Sequence, residues 1–179
     1  MPAEKKKLKL KQTLSFSLNT PLKQLIAQPV LLGGEPHMLL VYSSERFVDP
    51  WSEAFFFPAD SYTLALVDAA GTRVWTRNLG PSVIPGHHFC PVRAFDLDGD
   101  GTDEIWFVNN VDTDHPLSLN GRRLERLDAA TGETTGQWKW PCYAGDSQSL
   151  SHTHRNFIYG GSANALKRAR TGHDQRRWN

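Results

Sequence analysis

The chain has 179 residues, enough for one domain of ordinary size with its own core. Nine Phe, six Trp and four Tyr suit packed sheets, while 14 Gly and 11 Pro spread along the chain exclude collagen-like and low-complexity classes. Net charge is +1, but residues 1–25 hold six Lys against Glu4, residues 160–179 hold five basic residues against Asp174, and the stretch between holds nine basic against seventeen acidic residues. Basic ends can bind nucleic acid; without a DNA- or RNA-binding motif beside them they read as solvated, and no nucleic-acid partner is expected.

The N-terminus starts basic but lacks an apolar run of signal-peptide length, so no signal peptide is visible, and no segment is apolar enough to span a bilayer. Leu8, Leu10, Leu14, Phe16 and Leu18 alternate with polar residues, which predicts a strand within a basic arm covering residues 1–34. From residue 35 to 161, short apolar runs are punctuated by Gly, Asp-Gly, Asn-Gly and Pro. Helical signals are nearly absent, and the pattern predicts an all-β fold.

Two weak repeats organise this stretch. Leu64–Gly71 recurs as Leu124–Gly132, with Asp68 matched to Asp128, and each copy resumes with Trp (Val74-Trp75, Gln137-Trp138). Met38–Tyr42 likewise matches Glu104–Val108, and a third copy is expected to begin at Asn156–Gly160. A repeat of about sixty residues with four strands fits a large propeller blade. The expected architecture is therefore a partial propeller-like stack of two to three antiparallel blades, with a small barrel or sandwich as the alternative. A propeller closes with about four to eight blades, so open sheet edges here would allow self-association. Residues 162–179 abandon the blade pattern for an Arg-rich, strand-poor tail, as expected of a divergent or truncated end.

Between two predicted strands lies Asp96-Leu97-Asp98-Gly99-Asp100-Gly101-Thr102-Asp103-Glu104. Carboxylates at positions 1, 3 and 5, the Thr102 carbonyl at 7 and the Glu104 carboxylate at 9 have the spacing that wraps oxygen ligands around a hard cation. Clustered carboxylates repel unless a cation neutralises them. The loop resembles an EF-hand only in its first half, because position 12 is Phe107 and a strand-forming run follows. The expectation is a calcium loop at 96–104 with ligands Asp96, Asp98, Asp100, Thr102 and Glu104; a metal-free Asp/Gly turn is the alternative.

Histidines occur at matching places in successive repeats: His87-His88 before the strand that feeds this loop, and His152-Thr153-His154-Arg155 before the expected third copy. In a propeller such positions converge on the face where ligands bind. His88 as base, His154 as a second proton-handling or carboxylate-binding group and Arg155 as a carboxylate clamp would suit β-elimination from a uronic acid. Tyr143 or Tyr159 could protonate the leaving oxygen. If His152 and His154 share a strand face they could instead ligate zinc, and plain loop histidines held by backbone hydrogen bonds are a further reading. Cys90 and Cys142 could pair or remain two buried thiols.

The loop Asp96–Ile105, with His87-His88 upstream and His-x-His-Arg downstream, resembles FG-GAP or VCBS repeats, and over residues 35–161 resembles the bacterial propeller polysaccharide lyases, including rhamnogalacturonan and ulvan lyases. The resemblance implies structural or catalytic calcium, an acidic polysaccharide substrate and a secreted or periplasmic location. A non-catalytic calcium-stabilised binding module, or an inactive truncated product, is the alternative.

Overall fold

The computed structural model describes residues 11–51, 57–141 and 150–160. Among these residues eight strands form two four-stranded sheets. β1 (Gln24–Leu32), β2 (Glu35–Ser43), β3 (Thr63–Val67) and β4 (Arg73–Asn78) make the first; β5 (Val92–Phe95), β6 (Glu104–Asn110), β7 (Arg122–Asp128) and β8 (Thr134–Lys139) make the second. Each is an antiparallel meander with strands in chain order. The fold is all-β, a partial, blade-like stack of two sheets.

Side-chain alternation explains the stacking. Along β2 and β3, Leu39, Val41, Leu64 and Leu66 point into the contact between the sheets, where they meet Val92, Ile105, Phe107 and Leu127. Each of these side chains is at most 4% exposed. Burial of that extent stabilises by about 1.5–3 kcal/mol per side chain, so this layer is the main cohesive element. The opposite faces of Leu40, Tyr42, Ala65 and Val67 form a second cluster against Leu18.

The repeat is visible in the turns. Asp68 Oδ1 accepts from the Ala70 and Thr72 amides at 2.9 and 2.8 Å, and Asp128 Oδ1 accepts from the Thr131 amide at 2.9 Å. Gly71 and Gly132 follow with φ of 82° and 73°, where a side chain would be strained. A bulge falls at Leu66/Val67 in one copy and at Arg126/Leu127 in the other.

Three expectations change. Residues 11–18 form no strand. Their apolar residues lie over the far face of the first sheet, where Leu18 packs and its carbonyl accepts from Arg73 Nη2 at 3.4 Å; the alternation covers a sheet instead of extending one. Residues 1–10, the rest of that expected strand, lie outside the described residues. β1 begins at Gln24, so the turn at 33–34 joins a β1–β2 hairpin across the limit drawn between arm and blades. Its Pro29 is tolerated because β1 is an edge strand. Finally, Asn156–Gly160 is not a strand, and the segment before it, Leu150–His154, is a single helical turn, α1. His154 therefore lies on a helix, where the strand geometry assumed for a His-x-His zinc pair does not apply.

The expected tail, 162–179, lies outside the described residues, as does Cys142. Cys90 is a free thiol in the inter-sheet core, and burial raises its pKa. No described helix is long and apolar enough to cross a membrane.

Candidate functional site

The acidic loop connects β5 to β6 and wraps on itself. Asp96 Oδ1 accepts from Gly99 N at 2.6 Å and Asp100 N at 3.2 Å, and its Oδ2 accepts from Gly101 N at 2.9 Å. The Gly101 bond leads the interactions that lower the Asp96 pKa, with the Gly99 and Asp100 bonds assisting against a smaller cost of desolvation. Gly99 and Gly101 have φ of 83° and 90°, so the wrap needs glycine at both places. One carboxylate oxygen from each of Asp96, Asp98 and Asp100 can be chosen so that all lie within 4.8 Å of one another. Three hard oxygen donors at that separation could hold a metal ion. Of the other two expected ligands, Glu104 accepts through Oε2 from Leu97 N at 3.1 Å, and Thr102, expected to offer its carbonyl, accepts through its hydroxyl from Gly33 N at 3.3 Å.

The loop also ties the sheets together. Asp103 Oδ2 accepts from Leu31 N at 2.7 Å, and Asp103 N donates to Leu31 O at 2.8 Å. The acidic turn therefore docks on the β1–β2 hairpin.

A second cluster forms where the 86–91 loop meets residues 150–160. Asn156 organises it. Its amide and Nδ2 both donate to His88 O at 2.9 Å, and Nδ2 also reaches Phe89 O at 3.1 Å. His88 is 8% exposed, and its Nδ1 has no hydrogen-bond partner among the described residues. The His88 ring lies edge-on to Phe157 at 5.2 Å and beside His87 at 4.0 Å. Arg155 is exposed; its guanidinium sits 5.0 Å from the Trp51 ring and 5.7 Å from Phe157. Desolvation lowers the His88 pKa, and the neighbouring His87 and Arg155 lower it further, against an opposing pull from Asp49. The resting imidazole is therefore neutral at neutral pH.

His154 belongs to the same region but is turned inward. It is 4% exposed; its Nε2 faces Leu117 O at 3.1 Å and its Nδ1 faces Thr153 Oγ1 at 2.7 Å. A carbonyl can only accept, so Nε2 carries the proton and the Thr153 hydroxyl donates to Nδ1. Burial, aided by the Arg122 charge, pushes the His154 pKa down to about 4, although the Leu117 bond opposes the shift. Both ring nitrogens are thus engaged: Nε2 ties α1 to Leu117 of the 110–117 loop, and Nδ1 bonds within α1 to Thr153.

The structure brings His88 and Arg155 together around Phe157 and places His154 behind them. Tyr159 stacks on Phe157 at 6.2 Å and is 88% exposed, while Tyr143 lies outside the described residues. Trp51, Phe157 and Asn156 were not anticipated. No periodicity marks them; the recurrence of His segments before successive repeats was the only signal that the two loops would meet.

No protein-family model and no curated protein matches the chain. Solved structures do share the fold. The exotype rhamnogalacturonan lyase YesX superposes with a TM-score of 0.54 at 20% identity, over 67% of this chain and 22% of that one. Rhamnogalacturonan lyase YesW gives 0.53 at 17% identity over 73% and 26%, and a rhamnogalacturonan lyase of Bacillus licheniformis gives 0.56 at 18% over 70% and 24%. This chain spans about a quarter of the length of each. At these identities the likeness establishes the fold.

Proposed function

We propose that this chain is a polysaccharide lyase-like module of an FG-GAP-type propeller, acting on uronate-containing polysaccharide by β-elimination. The observation that carries the reading is the pairing of a buried neutral imidazole, His88, with an exposed guanidinium, Arg155, across Phe157. The fold shared with rhamnogalacturonan lyases supports it, and so does the aromatic surface of Trp51, Phe157 and Tyr159, which suits the apolar face of a sugar ring. A secreted or periplasmic location follows from the same reading.

In this reading His88 removes the proton from the carbon beside the uronate carboxylate. Arg155 holds that carboxylate through its two-pronged donor geometry and neutralises the charge that develops on it. The electron pair released from the C–H bond becomes a carbon–carbon double bond as the glycosidic C–O bond breaks. Tyr159 protonates the departing oxygen. His154 acts as a positioning residue that fixes α1 and, through it, Arg155.

His88→Ala and Arg155→Ala should each lower kcat/KM on rhamnogalacturonan by about 100- to 10,000-fold, the usual worth of a positioned acid–base group. Because the His88 pKa lies below its ordinary 6.5, the neutral base persists into mildly acidic solution, and the rate should fall only on the acid side of that value. A rate unchanged in both variants would remove the site assignment.

Because the chain spans only a quarter of the lyases, the second reading is a binding module that holds acidic polysaccharide without cleaving it. Retained glycan binding with no unsaturated product, from any uronate polymer, would favour that reading.

The metal assigned to Asp96, Asp98 and Asp100 is calcium, because an all-oxygen, carboxylate-rich set suits a hard cation. Bound there, calcium would neutralise the three carboxylates and stiffen the turn that docks on Leu31. Calcium at a hundredfold excess over its Kd should raise stability by about 2.7 kcal/mol. The double variant Asp98→Ala/Asp100→Ala should lose the accompanying rise in melting temperature. Equal melting temperatures for the original chain with calcium and with chelator would refute the metal.

A further inference from the structure

His88 and Arg155 come from segments far apart in sequence, so their separation is set by whatever joins those segments. α1 is fastened to the second sheet and its loops: Arg122 Nη1 donates to Thr153 O, and His154 Nε2 donates to Leu117 O. Neither bond reaches the 86–91 loop that carries His88. Ring contacts do reach it, from Phe157 to His88 at 5.2 Å and from His154 to Phe89 at 5.6 Å, but apolar contact is a largely non-directional attachment.

Asn156 supplies the directional link. It is buried, and both ends of its carboxamide are used. Nδ2 donates to His88 O at 2.9 Å, Phe89 O at 3.1 Å and His154 O at 3.2 Å, while Oδ1 accepts from Trp140 Nε1 at 3.0 Å. The partners fix which end is which, because a carbonyl only accepts and an indole N–H only donates. The Asn156 backbone amide adds bonds to His88 O at 2.9 Å and His154 O at 3.1 Å.

Trp140 directly follows β8, and its own amide donates to Arg122 O at 3.2 Å, so the indole is anchored to the sheet that also holds α1. One planar group therefore ties the His88 backbone, the backbone beside Arg155 and the end of β8 into a single frame. The chemistry of that group is specific. An aspartate of the same shape would turn an oxygen towards three carbonyls. A leucine would withdraw the donor from those carbonyls and the acceptor from the indole.

We propose that Asn156 is a positioning residue of this site, its carboxamide setting the separation between the His88 imidazole and the Arg155 guanidinium. The inference rests on the reading of those two groups as base and carboxylate clamp. Asn156 itself stands behind them and touches no substrate. A misplacement of about 1 Å at reacting groups costs about 100-fold in rate. Loosening the frame should therefore act on kcat, while KM, set by the grip of Arg155 on the carboxylate and by the aromatic surface, changes little.

NMR titration of the His88 imidazole in the full chain measures the pair directly. His87 and Arg155 lower the pKa of that ring and Asp49 raises it, so removing Arg155 reports how closely the guanidinium is held. Arg155→Ala should raise the His88 pKa in the original chain, and in an Asn156→Ala background it should raise it by less than half as much. Trp140→Phe keeps a ring and removes only the N–H that holds Oδ1. It should weaken the coupling in the same direction by a smaller amount, and it decides the question if circular dichroism shows Asn156→Ala unfolded. On rhamnogalacturonan, Asn156→Ala should lower kcat by about 100-fold with KM little changed. A coupling undiminished in both backgrounds, a coupling absent from the original chain, or a loss confined to KM would each overturn the inference. If the original chain cleaves no uronate polymer, the lyase reading falls, and the titration alone still decides whether Asn156 sets the pair.

Discussion

Replacing Glu125 with Ala should destabilise the protein by about 3–5 kcal/mol, the cost of breaking a buried ion pair from one side. Glu125 is fully buried, and its carboxylate has four partners. Oε1 accepts from Arg77 Nη2 and Thr134 Oγ1, both at 2.6 Å; Oε2 accepts from Asn109 Nδ2 at 2.7 Å and Gln137 Nε2 at 2.9 Å. Arg77 comes from β4 and the others from the second sheet, so one carboxylate fastens the sheets at their outer strands. Truncation removes the carboxylate from an arginine that is only 29% exposed, leaving it the Nη1 bonds to Gly132 O and Thr134 Oγ1, and takes the acceptor from three further donors. For a chain of this size the melting temperature should drop by about 6–20 °C. Glu125→Gln should fall between the two, since an amide nitrogen would face donors where the carboxylate presents an acceptor. A drop of less than about 1 kcal/mol for Glu125→Ala would mean that the pair behaves as an exposed one.

Acid should weaken the fold from pH 6.5 downwards, before the carboxylates titrate. The His154 pKa is pushed from 6.5 to about 4 in the folded state, so between those values the unfolded chain binds a proton that the folded chain refuses. The stability from neutral, buried His154 is therefore present above pH 6.5 and is lost as pH falls towards 4. At about 1.4 kcal/mol per pH unit the loss approaches roughly 3 kcal/mol at its limit, enough to move the melting temperature by several degrees. His88, also shifted down, adds to the slope in the same direction. His154→Leu removes the titrating ring and should flatten the dependence of melting temperature on pH over this window, whatever its effect at pH 7. An unchanged slope would assign the acid sensitivity elsewhere.

The parts legible in the sequence were those fixed by local chemistry. Asp68 and Asp128 marked their turns because an Asx side chain caps its own loop, and Leu39–Tyr42 and Ile105–Val108 read as strands because apolar residues run through both faces. β1 was hidden by Pro29, which weakens a strand reading unless the strand is known to be an edge. Leu14–Leu18 misled in the opposite sense: alternation records which side of the chain is apolar, and it cannot say whether a ladder partner exists. The acidic loop was legible as a carboxylate cluster, but the spacing did not reveal that Glu104 and Thr102 would bond to Leu97 and Gly33. At the His segments, residue type suggested proton transfer for His88 and His154 alike. Burial separated them, because the Leu117 carbonyl and the Thr153 hydroxyl occupy both nitrogens of His154. The pairing of Trp51 and Phe157 with Arg155 depends on loops far apart in sequence, which no short-range pattern encodes.

The most direct test of the central claim is the ultraviolet absorbance of unsaturated uronate when the calcium-supplemented protein is mixed with rhamnogalacturonan. A steady rise is expected, which Arg155→Ala and His88→Ala abolish while the folded state, followed by circular dichroism, is retained. No rise with rhamnogalacturonan or any other uronate polymer, or a rise indifferent to both substitutions, would contradict it.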